Sequence, residues 1–232
     1  MRQIINAMDG PTLLITMKDG LEENLEQLVV SRTSTAAREE WLKAQQESEG
    51  PLFNYRYSHV SQVVAVAKDL AEAAGADMGI VTTAAWLHDL AKPGMGDVPS
   101  HGEASAKDAK EILLKEGIDP DIVERVCDTI RKHVGLTLDS PLEPMEAQVL
   151  WEADKLVKLG VTVFAHMIVY MQQAKPGFSL SSLADELRDY LGLAGRIAAS
   201  MNTKRARELA RIRLDAMRNI SELLDSEFMV NK

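Results

Sequence analysis

From about residue 51 onward, apolar residues recur every three or four positions, which is the period of an amphipathic helix. The pattern predicts helices over 58–74, 78–90, 102–116, 120–132, 145–159 and 161–174, with two more near 180–191 and 203–228. Their ends carry fitting chemistry. Gly75, Gly117 and Gly135 stand just past helix ends, and Asp119-Pro120 places a capping carboxylate before a proline at the first helical position. Upstream the pattern changes: a β-prone run over 12–17, between Asp9-Gly10-Pro11 and Lys18-Asp19-Gly20, reads as a short strand or hairpin. A helix from about Leu21 and a polar one over 35–47 then lead to Gly50-Pro51. The expected architecture is an all-α helical bundle with a small N-terminal addition over 1–50, a core over 51–175 and C-terminal helices over 176–232 packed on that core. Connections rich in Pro and Gly, over 93–100, 135–144 and 175–182, are long enough to wall a pocket.

Five ionisable residues break the apolar stripes. His59 is in phase with Val63, Val66 and Leu70, His88 with Val81 and Ala84, and His133 with Ile122, Val126 and Ile130. Asp154 is in phase with Leu150 and Val157, and Asp89 adjoins His88. A polar or charged group on a core-facing stripe costs several kcal/mol unless it is paired or bound to metal. One such residue is commonly a hydrogen-bonded core group, whereas five call for a common cause. Imidazole nitrogens mixed with carboxylate oxygens suit iron, manganese, cobalt, nickel or zinc better than the all-oxygen shells of calcium or magnesium.

Composition narrows the partners. Across 232 residues there are 26 basic and 35 acidic side chains, a formal charge of −9, so no broad electropositive face is expected and duplex nucleic acid is not an expected partner. The single cysteine, Cys127, excludes an intramolecular disulfide or a multi-cysteine zinc cluster and fits a reducing cytoplasm. The first seventeen residues lack a long apolar stretch and a small-residue cleavage site, so they read as part of the mature protein. The longest apolar run, 161–171, interrupted by His166, is shorter than the roughly 20 residues needed to span a bilayer, and no membrane association is expected.

The ordered set His59, His88-Asp89 and Asp154 resembles the H…HD…D signature of the HD-domain metal-dependent phosphohydrolase superfamily. Supporting segments are Trp86 to Lys92, similar to that family's HD-plus-lysine motif, and Arg56-Tyr57-Ser58-His59, similar to its arginine three residues before the first histidine. Asp154-Lys155-Leu156 through Leu159-Gly160 resembles its helix bearing the last aspartate, and the stretch from Met201 to Met217 resembles the C-terminal helix of one bacterial and archaeal branch. His101 and His133 resemble two further histidines of dinuclear members. The resemblance implies an HD-domain helical bundle holding divalent metal ions, two of them, on His59, His88, Asp89, His101, His133 and Asp154, with Asp89 shared between the ions. Iron or manganese is the leading expectation, with cobalt, nickel, zinc and magnesium open. It further implies a small phosphorylated substrate, a phosphomonoester or phosphoanhydride of a nucleotide or metabolite, with Asp89 and Lys92 catalytic and Arg56 and Lys92 contacting phosphate. Val157 and His166 depart from that branch, which usually has an acidic residue and an arginine at these places.

Two other readings use the same ligands: a di-iron oxygenase like the HD-fold branch that includes myo-inositol oxygenase, and a non-catalytic nucleotide-sensing module. Several features are plainer. His166 reads as a core or pocket-edge residue, Lys155 as a charge-balancing group, and Lys204, Arg207, Arg211 and Arg218 as a solvated stripe on the last helix. Gly94-Met95-Gly96 is too short to be a nucleotide-binding loop.

Overall fold

A computed structural model describes residues 20–41, 53–94, 96, 98–174 and 179–228, and among them finds nine α-helices and no strand. The hairpin expected over 12–17 lies outside the described residues. Helix α1 (Leu21–Glu39) buries Leu21, Leu25, Val29, Thr33 and Ala37, one residue per turn along a single stripe. It packs on α2 (Tyr55–Ala74) and α3 (Met78–Leu87), so this part of the expected N-terminal addition joins the main core. The polar helix expected over 35–47 is in part the end of α1, and residues 42–50 are outside the described set.

The helix α3 is the centre of the fold. It touches α1, α2, α4 (His101–Lys115), α5 (Pro120–Arg131) and α6 (Met145–Leu156), and every residue from Gly79 to Leu90 is buried. This explains its almost continuous apolar sequence, because a helix surrounded on all sides has no polar face to keep in water. Asp77 starts it by accepting from the backbone N–H groups of Gly79 and Ile80. Truncating a fully buried residue such as Leu87 to alanine would cost about 2–5 kcal/mol.

The sequence pattern runs α3 on to residue 90, but the helix ends at Leu87 with His88 as its C-cap, and residues 88–91 form a turn. The turn swings Asp89 away from the helix axis. In the same way α6 ends at Leu156 rather than 159. The largest difference lies in α8 (Leu180–Ala199), which the pattern ends near residue 191. Gly192 and Gly195 weaken the helical signal by about 1 kcal/mol each, yet the helix continues through both, since Ala194 and Ile197 are fully buried in the core beyond them.

The C-terminal half of α6 is fastened at two points to α9 (Lys204–Phe228) and the residues leading into it. The fully buried Glu152 accepts from the backbone N–H groups of Asn202 and Thr203, at 2.5 and 2.9 Å, and from the Thr203 hydroxyl at 2.6 Å. Its negative charge thus sits at the positive N-terminal end of α9. From the other side, Arg213 of α9 donates to the carbonyl of Leu156 at 2.6 Å, a second bond to an acceptor that also takes the Leu159 N–H at 3.0 Å. Asp154 lies between these two fastenings. The remaining helix, α7 (Val161–Ala174), is apolar in sequence yet only partly covered: from Val161 to Tyr170 no residue is fully buried.

Candidate metal centre

Five helices bring one ionisable side chain or pair each to the same place. His59 comes from the second turn of α2, His88 and Asp89 from the end of α3, His101 from the start of α4, His133 from just past α5, and Asp154 from α6. The approach of α4 to the end of α5 depends on Gly102, where an added Cβ would come within 2.7 Å of Val134 Cγ1. That close packing sets the His101 and His133 rings 5.1 Å apart.

Three of the histidines are oriented the same way. The Nδ1 atoms of His88, His101 and His133 lie 2.7, 3.1 and 2.5 Å from the carbonyls of Ala85, Val98 and Ile130, each three residues back. A carbonyl can only accept, so this contact assigns the proton to Nδ1 and leaves Nε2 as a lone pair. All three Nε2 atoms turn toward Asp89. Its Oδ2 faces His59 Nε2 at 3.6 Å and His88 Nε2 at 3.7 Å, and its Oδ1 faces His101 Nε2 at 3.7 Å and His133 Nε2 at 3.8 Å. His59 Nε2 is also 3.2 Å from Asp154 Oδ1.

The Nε2 atoms of His59, His88 and His133 are buried without a hydrogen-bond partner. Burial pushes His59 down to about 4 and His88 down to about 3, so both are neutral near pH 7. His101 is lowered mainly by burial, with the charges of His133 and Lys92 adding to the effect and Asp89 opposing it. The Nε2 atoms thus face the Asp89 oxygens across gaps of 3.6–3.8 Å, too long for hydrogen bonds, an arrangement that suits divalent cations between them. Two trios have donor atoms within 4.8 Å of one another: His59, His88 and Asp89, and then Asp89, His101 and His133. Second contacts of this kind, from imidazole to backbone carbonyl, are how metal-binding histidines are held in orientation.

Asp89 itself is held by Arg56. The guanidinium is buried, donating Nη1 to Asp89 Oδ2 and both Nε and Nη2 to the carbonyl of Gly94, at 3.1 and 2.7 Å. Burial alone would raise the Asp89 carboxyl, but His88, His133, Arg56 and His59 outweigh it and hold the group well below the usual carboxylate range. Arg56, expected at the substrate, is therefore turned inward, because all three of these donor atoms are committed to the HD turn and the loop after it. Lys92 is half-buried near His101, and its backbone N–H closes the turn on the carbonyl of Asp89 at 2.9 Å.

Asp154 belongs to neither trio, although it adjoins the first through His59. Its oxygens accept from Lys155 and, at 2.9 Å, from Lys158. Burial lowers Lys155, against the pull of Asp154, and this buried ammonium also donates to the carbonyl of His133 at 3.0 Å. Lys158 escaped the sequence reading, although its spacing of four from Asp154 on one helix face is a signal that could have found it. Tyr55 escaped as well: its ring lies parallel to His59, 6.4 Å away. His166 is half-buried at the edge of this group, 5.1 Å from the Tyr55 ring. The C-terminal cations are on the surface, where Arg211 and Arg218 pair with Asp215 and Arg207 donates to the carbonyl of Asn202.

Residues 56–159 match the family model of the HD domain, and this stretch holds all six expected ligands. Over residues 56–159 this chain is an HD domain. Solved structures share the fold over nearly their whole length. Bacillus subtilis YpgQ is 24% identical with a TM-score of 0.63, covering 89% of this chain and 94% of that one. Its complex with ADP has a TM-score of 0.61 at 24% identity, covering 88% and 97%. An HD-superfamily hydrolase from Bacillus thuringiensis is 18% identical with a TM-score of 0.62, covering 90% and 99%. In sequence, the chain is similar to a tRNA (cytidine(56)-2'-O)-methyltransferase of Thermoplasma volcanium, 33% identical over 87 residues. Those residues make up 38% of this chain and only 23% of that enzyme. Among the described residues no helix of this HD-domain protein is long and apolar enough to cross a membrane.

Proposed function

We propose that this HD-domain protein is a metal-dependent phosphohydrolase that cleaves a phosphomonoester or phosphoanhydride of a small, nucleotide-like substrate. The observation that carries the reading is the position of Asp89, whose two oxygens each face a different pair of imidazole nitrogens. His59 and His88 with Asp89, joined by Asp154, would hold one divalent ion, and Asp89 with His101 and His133 a second. Two ions held so would supply a nucleophile from water at neutral pH and would stabilise the charge on the oxygens of an in-line phosphoryl displacement. The structural relative solved with ADP supports a nucleotide-sized phosphate ligand for this fold.

The protein's own groups then have distinct tasks. Arg56 keeps Asp89 ionised and aimed, a positioning role rather than a substrate contact. The carbonyls of Ala85, Val98 and Ile130 fix the tautomer of three ligands. Lys92, near His101, the most exposed of the six, would take a phosphoryl oxygen on that side of the centre. In the reaction proposed, water oxygen would bond to phosphorus as the bond from phosphorus to the ester or anhydride oxygen breaks, with a proton of that water passing to the leaving oxygen, to give phosphate and an alcohol or a second phosphate.

Elemental analysis of chain purified without chelators, together with phosphate release over a broad panel of phosphate esters and anhydrides, tests the proposal. The expected result is about two ions per chain and release that disappears in Asp89→Ala. A metal-loaded protein that releases phosphate from no member of the panel, or an Asp89→Ala variant as active as the wild type, would sink it.

A further inference from the structure

A row of aromatic rings leads outward from the metal centre, and the mechanism above makes no use of it. Tyr55 stacks parallel to the ligand His59, with 8° between the planes, and His166 meets Tyr55 edge to face at 5.1 Å and Phe53 at 6.1 Å. The row passes from a buried ligand through half-buried Tyr55 and His166 to Phe53, which is 38% exposed. A satellite hydrophobic cluster would be expected to seal itself from water and to satisfy its polar tips. This one does neither. Among the described residues, no hydrogen bond is made by either His166 ring nitrogen or by the Tyr55 hydroxyl.

Two further observations give the row a direction. The helix α7, which carries His166, is apolar but only partly covered from Val161 to Tyr170, so beyond the contacts of His166 with Tyr55 and Phe53 it keeps accessible apolar surface. Burial also lowers His166, so near pH 7 it is a neutral ring that can both donate and accept a hydrogen bond. Flat rings carrying unused hydrogen-bonding edges, beside a centre that holds phosphate, suit a ligand with a planar heteroaromatic ring at one end and a phosphate at the other.

We propose that Tyr55 and His166 form the platform that binds the base of a nucleoside phosphate, Tyr55 by stacking and His166 by stacking and by hydrogen bonding to the base edge. The assignment rests on the reading of the metal centre as a phosphate-ester site. It makes both residues specificity-determining: they discriminate a phosphate ester with a base from one without. Base-on-aromatic stacking lost on truncation corresponds to roughly a five- to hundredfold change in affinity.

The test is the ratio of two dissociation constants on the metal-loaded full chain, for the non-hydrolysable phosphonate analogues of adenosine 5′-phosphate and of ribose 5-phosphate. The wild type is expected to prefer the adenosine compound at least tenfold. His166→Ala and Tyr55→Ala should each shrink that preference five- to hundredfold, and His166→Phe, which keeps a ring, should retain part of it. Metal content of each variant shows that the centre is intact, and the His166 variants decide the matter if Tyr55→Ala does not fold. A wild-type ratio near one, or a ratio unchanged within twofold in both His166→Ala and Tyr55→Ala, would overturn the platform. Phosphate release is recorded separately. Release without base preference removes the platform and leaves the hydrolase reading standing, whereas base preference without release keeps the platform and removes the hydrolase reading.

Discussion

The two halves of the metal centre share one carboxylate but differ in their surroundings. On the Oδ2 side of Asp89, His59 and His88 are 4% and 0% exposed, and Arg56 is buried against the same oxygen. On the Oδ1 side, His101 is 18% exposed in its side chain and Lys92 lies near it. An ion on the first side would be enclosed by helix interiors, and one on the second could meet solvent and substrate. On the proposed two-ion reading, the contrast would separate a resident, structure-supporting position from an exchangeable, reaction-facing one on the shared Asp89.

Removing the shared group gives the largest effect. Asp89→Ala takes a ligand from both trios, so metal content should fall from about two ions per chain toward none and phosphate release to the background rate. His101→Ala should be selective, leaving about one ion in the buried half and depressing activity far more than stability. Metal analysis and thermal melting of the two variants side by side check the contrast. If His101→Ala empties both positions, or Asp89→Ala keeps one full, the division into a resident and an exchangeable half is wrong.

Arg56 sharpens the same comparison from the protein side. In the metal-free chain Arg56→Met leaves the buried Asp89 carboxylate without its strongest partner, and breaking a buried pair in this way costs about 3–5 kcal/mol. With metal bound, the carboxylate charge is compensated and the penalty is smaller. The melting temperature of the variant should therefore drop much more without metal than with it. Metal affinity itself should fall about 10- to 100-fold, the range for losing a group that orients a ligand. Equal drops in both states would mean that Arg56 serves only the loop at Gly94.

Acid acts on the buried half through His59 and His88, whose folded values near 4 and 3 lie below the ordinary 6.5. A group held neutral in this way binds protons more readily in the unfolded chain, so its stabilising contribution is complete above about pH 6.5 and shrinks as pH falls toward 4. Denaturant midpoints of the metal-free protein should be flat from about pH 8 to 7 and then decline through this window. His88→Gln removes one titrating group and should make the decline shallower.

Most of the helices and all six ligand candidates were legible in the sequence, because a polar residue on an apolar stripe is costly and five of them must share a reason. His59, His88, Asp89, His133 and Asp154 stood out in this way, and His101 was added by resemblance. What stayed hidden depends on tertiary placement. Arg56 lies one turn from His59 on α2, and spacing alone does not say whether its guanidinium faces substrate or folds back to the HD turn. The end of α3 at Leu87 was masked by apolar residues that continue to Leu90, and the turn that aims Asp89 sits in that stretch. Tyr55 was passed over because the apolar pattern starts this helix at residue 58, whereas α2 begins at Tyr55, which puts that ring four residues before His59 on the same helix face. The continuation of α8 past Gly192 and Gly195 was decided by burial of Ala194 and Ile197, which propensity does not contain.

The smallest expected effect comes from Glu152, two residues before Asp154 on α6 and turned toward the start of α9. Its carboxylate holds the first turn of α9 through Asn202, Thr203 and the Thr203 hydroxyl, and it accepts from Gln148 at 2.9 Å. Glu152→Gln preserves the shape and keeps an acceptor oxygen but removes the charge at the positive helix end, a loss of about 1–2 kcal/mol for a buried position of this kind. Metal content and the base preference should stay at wild-type values while the denaturant midpoint falls modestly. A variant that loses metal instead would show that the clamp between α6 and α9 sets the position of Asp154. The buried half of the centre would then extend through Glu152 to the C-terminal helix.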